Sequence, residues 1–300
     1  MNTPEKEHIS DWLQGLQDTI CQGLEKLDGQ SNFVEDKWKR ADGGGGRTRT
    51  FKDGDLIEKG GVNFSAVHGP TPPKILEALK LKEADFFATG VSIVLHPNNP
   101  WAPIIHMNVR YFEMDNGVWW FGGGIDLTPH IIVDEKAKAF HDSLKKICDT
   151  HHKDYYPKFK VWADDYFYLS HRNETRGVGG IFFDRLSEDD AITKEDRWDF
   201  VKDLGSSFVS IYTDATNNLR NKECTEADKN WQEIRRGRYV EFNLVHDKGT
   251  KFGLDTDGRT ESILVSMPPR AQWHYDFQPS NEDHLRTQSL LKKGIDWVSK

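Results

Sequence analysis

The run from Ile104 to Phe112 has the most chemically suggestive pattern in the chain, because apolar and polar residues alternate along it. Alternate residues of a β-strand point to opposite faces, so the apolar residues share one face: Ile105, Met107, Val109 and Tyr111. The other face then carries His106, Asn108 and Arg110. Such polar side chains are costly against a dry core but not beside water or a polar ligand. The pattern predicts a ligand cleft on this face, with a solvated sheet surface as the alternative.

Further polar groups fall close to predicted strands, at Gly90, Ser92 and His96 and at Glu241 and Asn243. Three glycines at 122–124 follow two tryptophans, and glycines in a strand let a ligand approach the backbone. Asp126 comes next, either to contact a ligand or to cap the following turn. Arg176 precedes another glycine-rich run at 177–180. Together these residues predict a cleft walled by aromatic residues and glycines that suits a large, flat ligand carrying carboxylates.

Several other chemistries lack their sequence patterns. The chain has no G-x-G-x-x-G run, no G-x-S-x-G elbow and no H-E-x-x-H helix, which argues against dinucleotide binding, a serine hydrolase and a zinc protease. Cys148 lies on the apolar stripe of a predicted helix, where packing is its expected role. Histidine spacing alone gives no metal motif.

Composition limits the class of protein. The 300 residues include 40 Lys and Arg against 48 Asp and Glu, a net charge of −8, which argues against a general binder of nucleic acid or anionic membranes. Any anionic ligand must therefore be met by locally placed arginines. No apolar run reaches the ~20 residues of a transmembrane helix, and the first residues resemble neither a signal nor a transit peptide. Three widely spaced cysteines favour a reducing compartment, so we expect a cytoplasmic protein.

Hydrophobic periodicity predicts a single α+β domain over 1–300. Helical spacing covers Ser10 to Asp28, Ala137 to Cys148, the region of Phe159 to Leu169, and Trp198 to about Asn221. Period-two spacing predicts strands over residues 62–68, 90–96, 104–113, 118–124, 179–184, 239–246, 261–267 and 271–277. Residues 43–46 are predicted to form a flexible glycine loop that carries Arg47 and Arg49. Short turns between strands favour antiparallel pairing, and grouped helices favour a large antiparallel sheet covered by helices.

At these same segments the sequence resembles the oxygen-dependent coproporphyrinogen III oxidases, from Trp12 to Trp297. The distinctive motifs include GGGGRTR at 43–49, GVNFSAVHG at 61–69, HPNNP at 96–100, HMNVRYFE at 106–113 and WWFGGGIDLTP at 119–129. Further ones are the long run at 156–184, RRGRYVEFNL at 235–244 and GRTESILVSMPP at 258–269. Motifs of this length, in this order, are highly specific.

The resemblance implies a homodimer whose flat sheet of about seven antiparallel strands lies between layers of helices. It implies conversion of two propionates of coproporphyrinogen III to vinyl groups, which gives protoporphyrinogen IX and two CO2 in heme biosynthesis. Molecular oxygen is the implied co-substrate, no organic cofactor takes part, and a divalent metal is left open. A non-catalytic tetrapyrrole-binding protein and a metal-dependent oxygenase are the alternatives.

The resemblance also implies residue roles. His106 matches the family's proton donor, and Asp126 matches the carboxylate proposed to hold the pyrrole N–H groups. Substrate contacts are implied at Ser92, Asn108, Val109, Arg110, Arg176, Asp257, Gly258 and Arg259. Metal ligands of bacterial members match His96, His106, His141 and His171. The dimerisation region matches residues 239–274, with Tyr239, Phe242, Leu244, Ile263 and Val265 as the expected interface.

Two positions depart from the family pattern. Lys248 stands where an arginine is usual, and lysine offers only a point charge to a carboxylate. Asp257 stands where glycine is frequent and adds a carboxylate near an anionic substrate.

Overall fold

A computed structural model describes residues 4–71, 76–77, 82–189, 191–255 and 258–300. Seven strands form one antiparallel sheet: β1 (Val34–Lys39), β2 (Gly44–Lys52), β3 (Ile57–Pro70), β4 (Asp85–Pro97), β5 (Ile104–Met114), β6 (Trp119–Thr128) and β9 (Gly180–Leu186). Their spatial order is β1-β2-β3-β4-β5-β6-β9. The short strands β7 (Tyr168–Leu169) and β8 (Glu174–Thr175) pair with each other. The predicted α+β class, with its large antiparallel sheet, is confirmed.

Helices occur in the groups expected for this class. In chain order they are α1 (Lys6–Asp28), α2 (Asp134–His151), α3 (Tyr155–Tyr166), α4 (Lys194–Ser206), α5 (Phe208–Thr216), α6 (Glu226–Glu241), a π-helical turn (Phe242–His246), α7 (Lys248–Asp255), α8 (Thr260–Leu264) and α9 (Glu282–Leu290). None of the helices in the described ranges combines the length and apolarity of a membrane span.

One face of the sheet forms the main core with α1, α2, α4 and α5. The apolar residues of β5 are 0–1% exposed there, among them Met107 and Val109. The helix α1 packs Leu13 and Ile20 into the same cluster, as its three- and four-residue spacing predicts.

The opposite face of the sheet is covered in part by the segment from α6 to α8. Tyr239 of α6 packs on Val94 and Ile104, which lie on that face. The Asn63 amide donates to the Ser262 carbonyl at 2.7 Å, which ties α8 to β3. Helices therefore lie on both sides of the sheet, and the part of this face left between the covering elements is the predicted cleft.

Three predicted strands are wrong. Residues 239–246 belong to α6 and the π-helical turn, residues 261–267 contain α8, and residues 271–277 form no strand. The buried residues Trp231, Arg235 and Tyr239 recur at every fourth position, which is helical spacing. The alternation from Val240 to Leu244 is too short to decide between helix and strand.

The predicted glycine loop is also wrong, because residues 44–46 begin β2 and pair with β1 and β3. Gly46 lies under the Trp38 ring, and a Cβ atom there would come within 2.5 Å of it. Glycine is therefore required for close packing and not for flexibility. The long helix predicted from Trp198 is divided at Ser207 into α4 and α5.

The strand β1 forms one edge of the sheet and is almost wholly exposed. Charged residues make up most of it: Glu35, Asp36, Lys37 and Lys39.

Candidate active site

The floor of the cleft is formed by small residues in register across the sheet. Asn63, Ser92, Asn108 and Gly124 form one cross-strand row. Ser65, Gly90, Arg110 and Gly122 form the next. His106, Asn108 and Arg110 are partly exposed on this face, as their spacing predicts. The Val109 side chain is 0% exposed in the core on the other face, so any ligand contact there would be made by its backbone.

His106 and Asp126 are directly opposite each other on β5 and β6. The His106 Nδ1 atom lies 2.8 Å from the Asp126 Oδ1 atom. The His106 side chain is 22% exposed, whereas that of Asp126 is 2% exposed. The exposed part of the His106 side chain therefore faces the cleft. The Asp126 carboxylate is buried on the other side of the ring and contacts it there.

Arg176 holds the other side of the Asp126 carboxylate. Its Nη2 atom donates to both carboxylate oxygens, at 2.7 and 2.8 Å, and its Nε donates at 3.2 Å. Its Nη1 donates to the Asn243 side-chain oxygen at 3.0 Å. Burial alone would raise the pKa of Asp126, but the Arg176 charge and the His106 hydrogen bond outweigh it and keep that pKa below its ordinary value.

Three aromatic rings enclose the Arg176 guanidinium. Its Cζ atom lies 4.4 Å from the ring centre of Phe167 and 4.6 Å from those of Tyr239 and Phe242. The side chain is 3% exposed. Arg176 is thus saturated by protein groups, a geometry that suits positioning of Asp126 better than direct contact with a propionate.

Arg110 lies across the glycine floor. Its Nη2 donates to Asp184 at 2.9 Å and its Nη1 to Asn108 at 3.1 Å. A Cβ atom at Gly122 would come within 2.8 Å of the Arg110 Nε atom. This glycine therefore gives the guanidinium the space to lie flat on the sheet.

Aromatic residues form the wall beside β9. The Tyr166 ring stacks on Phe182 at 4.1 Å, and Phe182 lies over Gly124. The Tyr166 hydroxyl donates to Asp247 at 2.8 Å. Asp247 precedes the exposed Lys248, the first residue of α7.

Gly258 and Arg259, two of the predicted contacts, lie on the other side of the cleft. Arg259 pairs with Asp36 of β1 and lies near Ser262. The Gly258 N–H donates to the Gly253 carbonyl at 2.8 Å. Asp257 lies outside the described residues.

The four histidines implied as metal ligands do not come together. His141 is buried between the Tyr156 hydroxyl and the Val178 carbonyl, both at 2.9 Å. His96 contacts the Ser266 carbonyl at 2.8 Å, and His171 contacts His246 and Glu241. Burial lowers the pKa of His96 to about 3 and that of His141 to about 4.

Across the described ranges, no cluster of three or more His, Cys, Asp or Glu side chains is arranged to hold a metal ion. The residues present therefore do not fit the divalent metal left open by the resemblance.

The expected interface residues separate into two groups. Tyr239 and Phe242 are 1% and 0% exposed, since they enclose Arg176. Leu244 is 47% exposed, and Ile263 and Val265 are half-buried over α7 and β3.

Sequence reasoning missed Asp184 and Tyr166 as site residues. Asp184 enters the site through a bulge, where Asp184 and Arg185 of β9 both lie opposite Gly122. A bulge has no reliable signature in a single sequence. Tyr166 carried a weak signal, as one more aromatic residue in a motif of the resemblance.

Comparisons with known proteins show the family of the chain. The profile described as coproporphyrinogen III oxidase matches residues 8–297. Coproporphyrinogen-III oxidase 1, chloroplastic, of Arabidopsis thaliana is 48% identical over 304 residues, which covers 95% of this chain and 78% of the relative. Neither a tetrapyrrole carrier without turnover nor a metal-dependent oxygenase is favoured by these matches. The chain belongs to the coproporphyrinogen III oxidase family, and it is an oxidoreductase for the oxidative decarboxylation of coproporphyrinogen III in heme biosynthesis.

Proposed function

We propose that His106 is the acid–base residue of the reaction and that Asp126 and Arg176 act through it. The observation that carries this proposal is the ordered series His106, Asp126, Arg176 and Asn243, linked by hydrogen bonds of 2.7–3.2 Å. Asp126 fixes the proton on the His106 Nδ1 atom, so that the Nε2 atom faces the cleft. Asp126 is too buried to hold several pyrrole N–H groups itself, which shifts its role from the one implied by the resemblance.

The chemistry requires one proton for each propionate. A propionate, O2 and one proton give a vinyl group, CO2 and hydrogen peroxide when the β-hydrogen leaves with two electrons. The reduced macrocycle is rich in electrons, so we propose that it reacts with O2 directly. The protein then orients one propionate, excludes water and moves protons at the His106 Nε2 atom.

The floor residues position the macrocycle in this proposal. Ser92 and Asn108 offer hydrogen bonds beside Gly90 and Gly124, which leave room for a flat ring. Arg110 offers a cation on the same surface, although Asp184 already occupies one of its edges.

The test is the pH dependence of His106→Gln. We expect kcat to fall by about 10²–10⁴-fold, because general acid–base catalysis contributes that much. The pH dependence of kcat that belongs to the histidine should disappear, whereas KM should change little. Normal kcat in a folded His106→Gln variant would overturn the role. Asn116→Gln, in the exposed turn between β5 and β6, serves as control.

We propose a homodimer that forms through the exposed apolar side of the segment 244–265. Leu244, Val245 and Leu254 are 47%, 52% and 40% exposed. Burying such a patch would remove apolar surface from water. Leu244→Asp should shift the light-scattering mass from dimer to monomer, whereas Leu285→Asp, also at a residue 47% exposed, should not. A monomeric wild-type protein at micromolar concentration would contradict the proposal.

We further propose that 1–300 form one domain and that the protein works in the cytoplasm. A core cluster that ranges from Ile9 to Trp297 supports the first proposal. Three free cysteines support a reducing compartment, although the Arabidopsis relative is chloroplastic by its name. Limited proteolysis tests the single domain, and cell fractionation with an antibody tests the compartment.

A further inference from the structure

The arginines expected to bind propionates already have carboxylate partners. Arg110 pairs with Asp184, Arg176 with Asp126 and Arg259 with Asp36. A propionate would have to compete with each of these groups. A different cation, with no such partner, would bind a carboxylate at lower cost.

Arg185 is that cation. Among the arginines in the described part of the chain, it alone has a side chain without a hydrogen bond, ion pair or ring contact. Its backbone is left-handed, with φ at 51°. Arginine is unfavourable in this conformation, and strained residues of this kind persist at functional sites.

The β9 bulge accounts for the placement of Arg185. Two residues of β9 lie opposite Gly122, so Asp184 reaches Arg110 while Arg185 extends to the rim of the sheet. There it lines a cavity of about 370 Å³ with Trp119, Trp120 and Ser187. Glu188 lines the same cavity, and its charge acts on Lys194, whose ammonium lies over Trp119.

Trp120 lines the rim cavity and also lies on the cleft face of the sheet. Trp120 shares that face with Gly122, Gly124 and Asp126, because the four alternate along β6. Its ring stacks on Phe112 at 4.2 Å, which extends the flat surface away from His106. Trp120 and Asp126 are six positions apart, or about 20 Å along a strand. That span suits a tetrapyrrole with propionate arms at opposite corners.

The size of the cavity decides what it holds. At about 370 Å³ the cavity is at the lower end of the roughly 300–1,000 Å³ range of small-molecule sites, so we take it to hold one arm of the substrate and not the whole macrocycle. We propose that the rim cavity binds, at Arg185, a propionate of the substrate that is not converted, with Trp120 beneath the adjacent ring. This inference rests on the proposed function, because it takes the reacting propionate to lie at His106.

The first test compares Arg185→Gln with wild type. We expect KM for coproporphyrinogen III to rise about tenfold at unchanged kcat, since the contact holds the substrate equally before and during reaction. Arg185→Lys should restore part of the affinity by restoring the charge. Arg286→Gln, which removes an arginine paired with Asp134 far along the chain, is the control. An unchanged KM, or a fall in kcat alone, would overturn the proposal.

The second test separates binding from chemistry. Coproporphyrin III, the oxidised and unreactive form, should bind wild type with quenching of tryptophan fluorescence, and Arg185→Gln should weaken its Kd about tenfold. His106→Gln should leave this Kd unchanged. If His106→Gln kept full kcat, the acid–base proposal would fail while the Arg185 effect could stand. Equal Kd values for Arg185→Gln and wild type would contradict only the proposal that the rim cavity binds a propionate.

A third variant excludes a purely structural role. Asparagine is favoured in the left-handed conformation, so Arg185→Asn should raise the melting temperature while it weakens binding. Loss of both stability and binding would indicate that Arg185 supports the fold instead.

Discussion

Alternate residues of β5 point to two faces of the sheet, and the two faces differ in exposure and in polarity. On the core face Met107 and Val109 are 0% exposed and belong to the main apolar cluster. On the cleft face His106 and Arg110 are partly exposed and bind carboxylates. Burial of the first face fixes the register that presents the second, since a slip of one residue would exchange them. Stability and chemistry are therefore carried by alternate residues of one strand.

The largest combined effect should come from Asp126→Asn, which alters both stability and chemistry. The variant leaves the Arg176 charge buried without its partner, which costs about 3–5 kcal/mol of unfolding free energy. It also removes the support of His106, so we expect kcat to fall by about 10²-fold. Chemical denaturation and steady-state kinetics measure the two losses.

The double variant Asp126→Asn, Arg176→Met separates these losses. It removes both charges, so stability should largely return while kcat stays low. Recovery of kcat together with stability would show that Asp126 matters only to the fold.

On the core face, Met107→Ala should cost about 2–5 kcal/mol of stability through lost burial and the cavity left behind. The kinetic constants of the folded fraction should stay within about threefold of wild type, because the cleft face is unchanged. Asn108→Ala is the matched variant from the cleft face, for which we expect normal stability and altered kinetic constants. A selective loss of kcat in Met107→Ala would break the separation of the two faces.

Arg110→Ala should affect the cleft face alone. Its side chain is 40% exposed, so we expect a normal melting temperature; KM should rise by no more than about tenfold, because Asp184 already holds one edge of the guanidinium. Asp184→Asn sharpens this test, because it frees the guanidinium and should lower KM. No change in either variant would mean that Arg110 and Asp184 face solvent on the floor of the cleft and do not contact the substrate.

The smallest effect concerns Glu241, outside both faces. Burial raises its pKa, but Arg172 and His171 outweigh burial and lower the pKa to about 2. The ionised group therefore stabilises the fold above its ordinary pKa of 4.5, and this contribution is lost as the pH falls from about 5 to 2.

Glu241→Gln should cost about 1 kcal/mol at pH 7 and flatten the acid limb of the stability curve. The exposed Glu282→Gln is its control. Denaturation midpoints between pH 7 and 3 decide the matter, and parallel curves for wild type and Glu241→Gln would contradict the assigned role.

The sequence predicted the sheet well where its two faces differ in polarity. In β5 the alternation of Met107 and Val109 with Asn108 and Arg110 leaves one interpretation, since no helix places these residues on separate faces. The same rule failed at Tyr239 and Phe242, because both are buried around Arg176, a partner distant in sequence. Short apolar runs carry no signal of such partners.

The sequence predicted the residues of the site better than it predicted the contacts between them. His106, Asn108 and Arg110 follow from alternation on one strand, and the pairing of His106 with Asp126 follows from the β5–β6 hairpin. The Asp184 and Arg185 bulge depends on backbone geometry that pattern cannot reveal. The saturation of Arg176 depends on three segments that meet only in the folded chain.

The charged strand β1 has a consequence for the protein at high concentration. An open sheet offers unpaired N–H and C=O groups at its edge, and a flat apolar edge would recruit strands of other molecules. Glu35, Asp36, Lys37 and Lys39 surround that edge with charged side chains, so adding another strand would remove charged groups from water. The enzyme can thus keep a long open sheet, the proposed floor for a macrocycle, and still resist forming β-aggregates.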